Sequence, residues 1–137
     1  MKVVSLCLLG VSCPWDGKKS ACNPEVVSLL EQGQALPLCP EQLGGLPTPR
    51  EPSEQQLNGR VVTKYGIDVT ENFNRGAREA TKLAVYAKCD GAILRHNSPS
   101  CGCGKVYDGT FTKKLVDGDG VFAQYLKAVG ITNIKAV

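Results

Sequence analysis

The sequence of 137 residues lacks several features that would assign a protein class directly. It has one histidine and no Cys-x-x-Cys pair, so the usual zinc-finger and thioredoxin-type signatures are absent. It has no Gly-x-Ser-x-Gly motif, which argues against a hydrolase with a Ser/His/Asp triad. No apolar run approaches the roughly 20 residues of a membrane span, and we expect no membrane association.

A strong charge bias is missing too. The 16 basic and 13 acidic residues give a formal net charge of only +3, and the basic residues are scattered along the chain. This distribution does not predict a dedicated surface for nucleic acids or other polyanions.

The start of the chain superficially resembles a lipoprotein signal, because Met1-Lys2 and an apolar run over 3–11 precede Cys13. Twelve residues are too few for a charged region, an apolar core and a cleavage site. We therefore expect a buried strand here and a cytoplasmic protein. Thiols stay reduced in that compartment.

Cysteine is abundant, with seven in the chain. A domain of this length buries about two thirds of its unfolded surface, so it does not need disulfides to fold. In a reducing compartment, such a cysteine-rich sequence more often indicates metal binding or catalysis.

Predicted strands alternate with predicted helices along the chain. Strands are predicted at 2–9, 35–38, 91–94 and 132–137, and helices at 24–32, from Thr70 onward, and from Asp119 or Gly120 to Gly130. The alternation predicts an α/β protein with a three-layer Rossmann-like fold, a mainly parallel sheet and helices on both faces. We expect a single domain over residues 1–137.

Local signals refine this prediction. Asn23 and Pro24 are suited to begin a helix whose apolar residues, Leu30 included, face inward. Thr70 is expected to cap a long helix with a stripe of small residues. Residues 60–69 predict a small hairpin, and the three prolines in 44–52 predict a stiff loop.

Three cysteines lie at or just beyond the ends of predicted parallel strands: Cys7, Cys39 and Cys101. Ligands bind in such sheets at the carboxyl ends of the strands, where the loops converge. Thiolates are soft ligands that select iron–sulfur clusters, zinc or Cu(I). Three cysteines would leave one iron of a cubane cluster open to substrate or water as a Lewis acid.

The other cysteines are weaker candidates. Cys13 is the possible fourth ligand or a functional thiol, and its role stays open. Cys89 and Cys22 are interpreted as a small core residue and an incidental loop residue.

Side chains near these cysteines suggest acid–base chemistry. Glu41 follows Cys39 by two residues in a predicted loop, where its carboxylate could hold an attacking water. Ser98 and Ser100 precede Cys101, and their hydroxyls could polarise a substrate or relay protons, although Ser-Pro sequences also occur simply as turns.

Three further residues have open roles. His96 could carry a proton or be structural. Trp15 could stack against a planar heterocycle, with Asp16 as a polar contact, or could cover the edge of the core.

The sequence resembles the thiouracil desulfidase family over nearly its whole length. The matching segments are Ser5-Leu6-Cys7-Leu8-Leu9-Gly10, Cys39-Pro40-Glu41-Gln42-Leu43-Gly44-Gly45-Leu46-Pro47-Thr48-Pro49-Arg50, Arg60-Val61-Val62-Thr63, Asp68-Val69-Thr70, Ser98-Pro99-Ser100-Cys101-Gly102 and Tyr107-Asp108-Gly109-Thr110-Phe111. Where the family often has Arg-Tyr after the cysteine matching Cys13, this chain has Pro14-Trp15.

The resemblance implies an enzyme that carries a [4Fe–4S] cluster on Cys7, Cys39 and Cys101. Such an enzyme removes sulfur from thiolated uracil, without net redox change, to give uracil and sulfide. It also implies that Glu41 is the acid–base residue and that Ser98 or Ser100 is the catalytic serine.

Several alternatives stay open. The sequence favours a free base or nucleoside over tRNA as substrate, and it specifies neither the ring position of the sulfur nor the oligomeric state. A cluster-free enzyme that transfers sulfur as a persulfide on Cys101 or Cys103 is one alternative function. A zinc-stabilised binding module is another.

Overall fold

A computed structural model describes residues 1–137 and shows eight strands and four helices. In chain order they are β1 (Lys2–Ser5), α1 (Pro24–Glu31), β2 (Ala35–Leu38), α2 (Pro40–Leu43), β3 (Ser53–Gln55), β4 (Val61–Thr63), α3 (Thr70–Tyr86), β5 (Gly91–Leu94), β6 (Lys105–Tyr107), β7 (Leu115–Asp117), α4 (Val121–Ala128) and β8 (Ile134–Ala136). None of the helices is both long and apolar enough to span a bilayer.

The centre of the fold is a four-stranded sheet in the order β2-β1-β5-β8. Every pairing in this sheet is parallel, and Val3 in β1 lies between Leu36 and Ala92 of its two neighbours. The parallel sheet, its covering helices and the small antiparallel hairpins confirm the predicted fold class.

The core lies on both faces of this sheet, because successive residues of a strand point to opposite sides. Val3 belongs to the larger core cluster, which includes residues of α3 and α4. Val4 belongs to a smaller cluster with Val26 of α1. The predicted stripe on α3 is confirmed, since Phe73, Ala77, Ala80 and Ala84 are all buried.

The predicted strand at 2–9 is too long. Ladder pairing ends at Ser5, and Leu6–Leu9 form a short 3-10 helix that ends at Gly10, whose φ is 74°. The N–H of Gly10 donates to the carbonyl of Cys7. A continuous apolar run fits either a buried strand or a buried turn, so composition could not distinguish the two.

The predicted hairpin at 60–69 is reduced to a single antiparallel bridge between Val62 and Asp68. β4 instead pairs with β3, a polar strand that the sequence did not indicate. β6 and β7 form a second hairpin that was also not predicted, because both strands are only three residues long and β7 is exposed.

Helix ends follow the predictions with two corrections. Oδ1 of Asn23 accepts from the Val26 N–H at 3.2 Å, as expected of a cap, but Leu30 is exposed rather than inward. Thr70 is the first residue of α3 rather than its cap. Its Oγ1 accepts the Val61 N–H at 2.9 Å and so joins the helix to β4.

Glu41 lies in the first turn of α2, whereas the sequence suggested a loop. Pro40 occupies the first helical position, where a missing N–H costs nothing. Helix α2 packs directly on α3, and two glycines allow the backbones to meet. A Cβ on Gly76 would lie 1.8 Å from the Pro40 carbonyl oxygen, and a Cβ on Gly44 would lie 2.0 Å from the Asn72 carbonyl oxygen. Both positions therefore require glycine.

Candidate active site

A cavity of about 390 Å³ opens at the carboxyl ends of β1, β2 and β5. This is the edge where parallel α/β sheets bind ligands, and the volume is in the usual range for small-molecule sites. The structure brings four thiols to its wall, those of Cys7, Cys13, Cys39 and Cys101.

Each of the three predicted ligands follows a different strand. Cys7 lies in the 3-10 helix after β1, and Cys39 is the N-cap of α2, directly after β2. Cys101 lies in the turn after β5 and is buried. Short strands that all end at one edge therefore position the three sulfurs.

Cys13 lies between two of these thiols. Its hydrogen bond lowers the pKa of Cys39 to about 7 and also lowers the pKa of Cys7. The pKa of Cys13 itself is raised, chiefly by the hydrogen bonds that hold its proton against the Cys39 and Cys7 sulfurs. Cys13 thus helps Cys7 and Cys39 to become thiolates, the form that binds metal.

Cys101 is buried, as Cys13 is. Burial raises the pKa of its thiol, while a hydrogen bond from Ser5 acts in the opposite direction. The Ser5 oxygen also accepts the Arg95 N–H at 2.9 Å. The Arg95 side chain lines the cavity, where its positive charge favours the thiolate of Cys7.

Glu41 is held against Arg50 at the cavity wall. Nε of Arg50 donates to Oε1 of Glu41 at 3.0 Å, and the two side chains are only 6% and 15% exposed. The remaining Arg50 donors bond the Cys13 and Pro47 carbonyls and the Thr48 hydroxyl. Burial raises the pKa of Glu41, against the opposing effect of Arg50.

One carboxylate oxygen of Glu41 remains available. Oε2 makes no hydrogen bond within the protein, yet it is not among the fully buried polar atoms that lack a partner. It is therefore accessible from the cavity that Glu41 lines.

The two candidate serines have different surroundings. Ser98 lines the cavity, and its Oγ accepts the N–H groups of Ser100 and Cys101 at 3.1 and 2.9 Å. Oγ of Ser100 is fully buried, has no hydrogen-bond partner and is not part of the cavity wall. Only Ser98 is placed to touch a ligand.

All three residues with open roles lie at the same cavity. Trp15, Asp16 and His96 line the cavity, and Trp15 is half exposed. Nδ1 of His96 lies 2.8 Å from the carbonyl oxygen of Val137, the residue that follows β8.

The remaining cysteines lie outside the cavity wall. Cys22 is exposed, Cys89 is buried in the core, and Cys103 is half-buried beside Asp119 and Lys127. The core interpretation of Cys89 agrees with this placement.

Sequence reasoning assigned no role to several residues that line the cavity: Ser5, Arg50, Glu54, Arg95 and Tyr107. Ser5 had a usable signal, since it is a polar residue at the end of an apolar strand. Glu54 had none, because an isolated glutamate in a polar segment is typical of a solvated surface.

The 2-thiouracil desulfurase family matches residues 3–136. The chain belongs to this family. The curated relative YbbK of Bacillus subtilis (strain 168), described as an uncharacterized protein, is 41% identical over 139 residues, which cover 95% of this chain and 91% of the relative. A solved structure described as the [4Fe–4S]-dependent thiouracil desulfidase TudS is 40% identical, with a TM-score of 0.92 over 98% of this chain and 89% of that one.

Membership of the 2-thiouracil desulfurase family confirms the resemblance seen in the sequence. The match begins within β1 and ends within β8, so it includes the strands and helices that build the cavity.

The cavity of this family member fits an iron–sulfur cluster by the chemistry of its donors. Soft thiols line it, and two of them have a lowered pKa. No group of three or more His, Cys, Asp or Glu side chains is close enough to hold a single metal ion. A cluster of four irons is a larger body than one ion and takes more widely spaced thiolates.

Proposed function

We propose that the protein is a [4Fe–4S]-dependent desulfidase that hydrolyses the carbon–sulfur bond of thiolated uracil to give uracil and sulfide. One observation carries this proposal: thiols from three strand ends share a cavity with a buried carboxylate and a hydroxyl. Family membership and the similarity to a thiouracil desulfidase support it.

Cys7, Cys39 and Cys101 would hold the cluster, with Cys13 beside them. A cluster held by three cysteines supplies an open iron, a Lewis acid suited to the soft sulfur of a thiocarbonyl. Water is excluded from the deep end, where Cys101 is 6% exposed, so polar interactions with a bound substrate are strengthened there.

Glu41 is assigned as the general base. Its Oε1 stays bound to Nε of Arg50, which fixes the carboxylate, and its Oε2 is free to take a proton from an attacking water. A carboxylate with a raised pKa is a stronger base once ionised, and it can return the proton later in the reaction.

Ser98 is assigned as the serine that contacts the substrate. Two backbone N–H groups donate to its oxygen, which polarises the hydroxyl and leaves its proton to be donated into the cavity. Ser100 is assigned a structural position, since its hydroxyl does not reach the cavity.

The two serines form a matched pair for a test. We expect Ser98→Ala to lower kcat by about 10²-fold or more, the usual contribution of a positioned proton donor. Ser100→Ala removes a hydroxyl without a partner, so its kcat should stay within about twofold of the parent. Steady-state kinetics on the two variants at equal iron content measure this difference, and the reverse order would contradict the assignment.

The substrate is proposed to be a free thiolated base or its nucleoside. A single desulfidase domain over residues 1–137 with a pocket of about 390 Å³ and a net charge of only +3 favours a small molecule, which makes tRNA the less favoured substrate. We place the enzyme in the cytoplasm, in keeping with seven free cysteines.

The deciding experiment is purification without oxygen, followed by metal analysis, a visible spectrum and incubation with 2-thiouracil and 4-thiouracil. We expect four irons per chain, broad visible absorption, and release of uracil and sulfide in equal amounts. Release of sulfur by iron-free protein would instead indicate persulfide transfer. Bound zinc without turnover would indicate a binding module.

A further inference from the structure

Glu54 is a buried carboxylate that the proposed mechanism does not use. It occupies the middle of β3 opposite Val62, is 8% exposed and lines the same cavity as the cysteines. No lysine or arginine forms an ion pair with it. Burying an unpaired carboxylate is costly, so its retention in the wall requires compensating partners.

Backbone N–H groups are the partners of one of the two carboxylate oxygens. Oε1 of Glu54 accepts the N–H groups of Gly109 at 2.9 Å and Phe111 at 3.2 Å. These bonds attach the loop after β6 to β3. That loop approaches β3 closely, since a Cβ on Gly109 would lie 2.7 Å from the Gln55 carbonyl oxygen.

The second carboxylate oxygen has no partner within the protein. Oε2 of Glu54 has no hydrogen-bond partner. It is also not among the fully buried atoms without one, which are Thr81 Oγ1 and Ser100 Oγ. Oε2 is thus an acceptor, fixed by the bonds to Oε1, that is accessible from the cavity.

We propose that Oε2 of Glu54 accepts the N3–H of the thiolated pyrimidine ring and selects rings that carry this proton. This inference rests on the proposed function for the class of substrate. N3 lies between C2 and C4, so its N–H flanks the reacting carbon whether the sulfur is on C2 or on C4. Bases and nucleosides both have it.

The low exposure of Glu54 favours the ring N–H over a sugar hydroxyl as the partner of Oε2. The reacting carbon must approach the buried end of the cavity, where Cys13 and Cys101 lie, so the ring enters first and a sugar stays outward. The selection also has a repulsive element. A cytosine-type ring has an unprotonated N3, whose lone pair would face the carboxylate.

Glu54→Gln separates recognition from structure. The amide keeps a carbonyl oxygen to accept the Gly109 and Phe111 N–H groups, while an NH₂ donor replaces the acceptor at the cavity. The matched control is Glu51→Gln, an exposed residue on the same segment that does not line the cavity.

The measurement is calorimetric binding of uracil, 1-methyluracil, 3-methyluracil and cytosine to the iron-loaded enzyme. We expect Glu54→Gln to weaken uracil and 1-methyluracil binding roughly ten- to hundredfold, the range for a hydrogen bond to a charged group. Binding of 3-methyluracil should be weak in both proteins and unchanged, and cytosine should bind the variant more tightly. Glu51→Gln should bind all four as the parent does.

Two results would overturn the inference. Unchanged uracil binding by Glu54→Gln would show that Oε2 has no ring partner, and an equal loss for all four ligands would show a purely structural role. Because binding of these sulfur-free rings needs no turnover, the pattern can hold even if the enzyme releases no sulfide, and the two proposals can fail separately.

Discussion

Serine at Cys7, Cys39 or Cys101 is expected to yield a folded protein that holds no stable four-iron cluster and has no measurable desulfidase activity. A serine hydroxyl is a harder ligand than a thiol and does not ionise near neutral pH, so each change removes one of three soft ligands. The three thiols belong to separate elements, each following a different strand of the central sheet. Iron analysis and visible spectra of anaerobically purified variants measure the loss.

Two further variants sharpen this result. Cys22→Ser, at an exposed position outside the cavity, should keep iron and activity at the parent level. Cys13→Ser should also keep four irons, because three ligands hold the cluster in our proposal. A loss of iron from Cys13→Ser equal to that of the other three would indicate four ligands and no open iron.

Glu41→Gln is expected to lower kcat by about 10²- to 10⁴-fold while leaving the visible spectrum unchanged. The glutamine carbonyl still accepts from Nε of Arg50, so the local packing is kept, but the side chain can no longer take a proton. Turnover of 2-thiouracil and 4-thiouracil at equal iron content provides the measurement.

The control for Glu41 is Glu31→Gln, which neutralises an exposed glutamate of α1. It should turn over at the parent rate. Full activity in Glu41→Gln would show that another group activates the water, and loss of the cluster from it would show that Glu41 acts on the cysteines instead.

The sequence predicted the parallel sheet well because its strands are short apolar runs separated by clear helix signals. Asn23-Pro24 began α1 where expected, and the stripe from Phe73 to Ala84 identified the buried face of α3. Errors occurred where a short element depends on distant partners. β3 is a strand because β4 pairs with it, and nothing in Ser53–Gln55 itself indicates this.

In the candidate site, too, features with a local sequence signal were predicted and features that depend on distant contacts were not. Placement of Cys7, Cys39 and Cys101 at one edge followed from their positions at the ends of strands predicted to be parallel. The proximity of Cys13 to Cys7 and Cys39, and the entry of Glu54 into the wall, depend on how loops fold back over the sheet. Such contacts between residues far apart in sequence have no local signal. The choice between Ser98 and Ser100 likewise needed the direction of each hydroxyl.

The glycine contact between α2 and α3 affects how the site responds to change elsewhere. With Gly76 against Pro40 and Gly44 against Asn72, the backbones of the two helices are in direct contact, and the Asn72 side chain bonds the Gly44 carbonyl. A substitution that displaces α3 by a fraction of an ångström would therefore carry α2 with it. Cys39 and Glu41 would move together as one body, which preserves their mutual spacing, while their distance to Cys7 and Cys101 on the central strands would change.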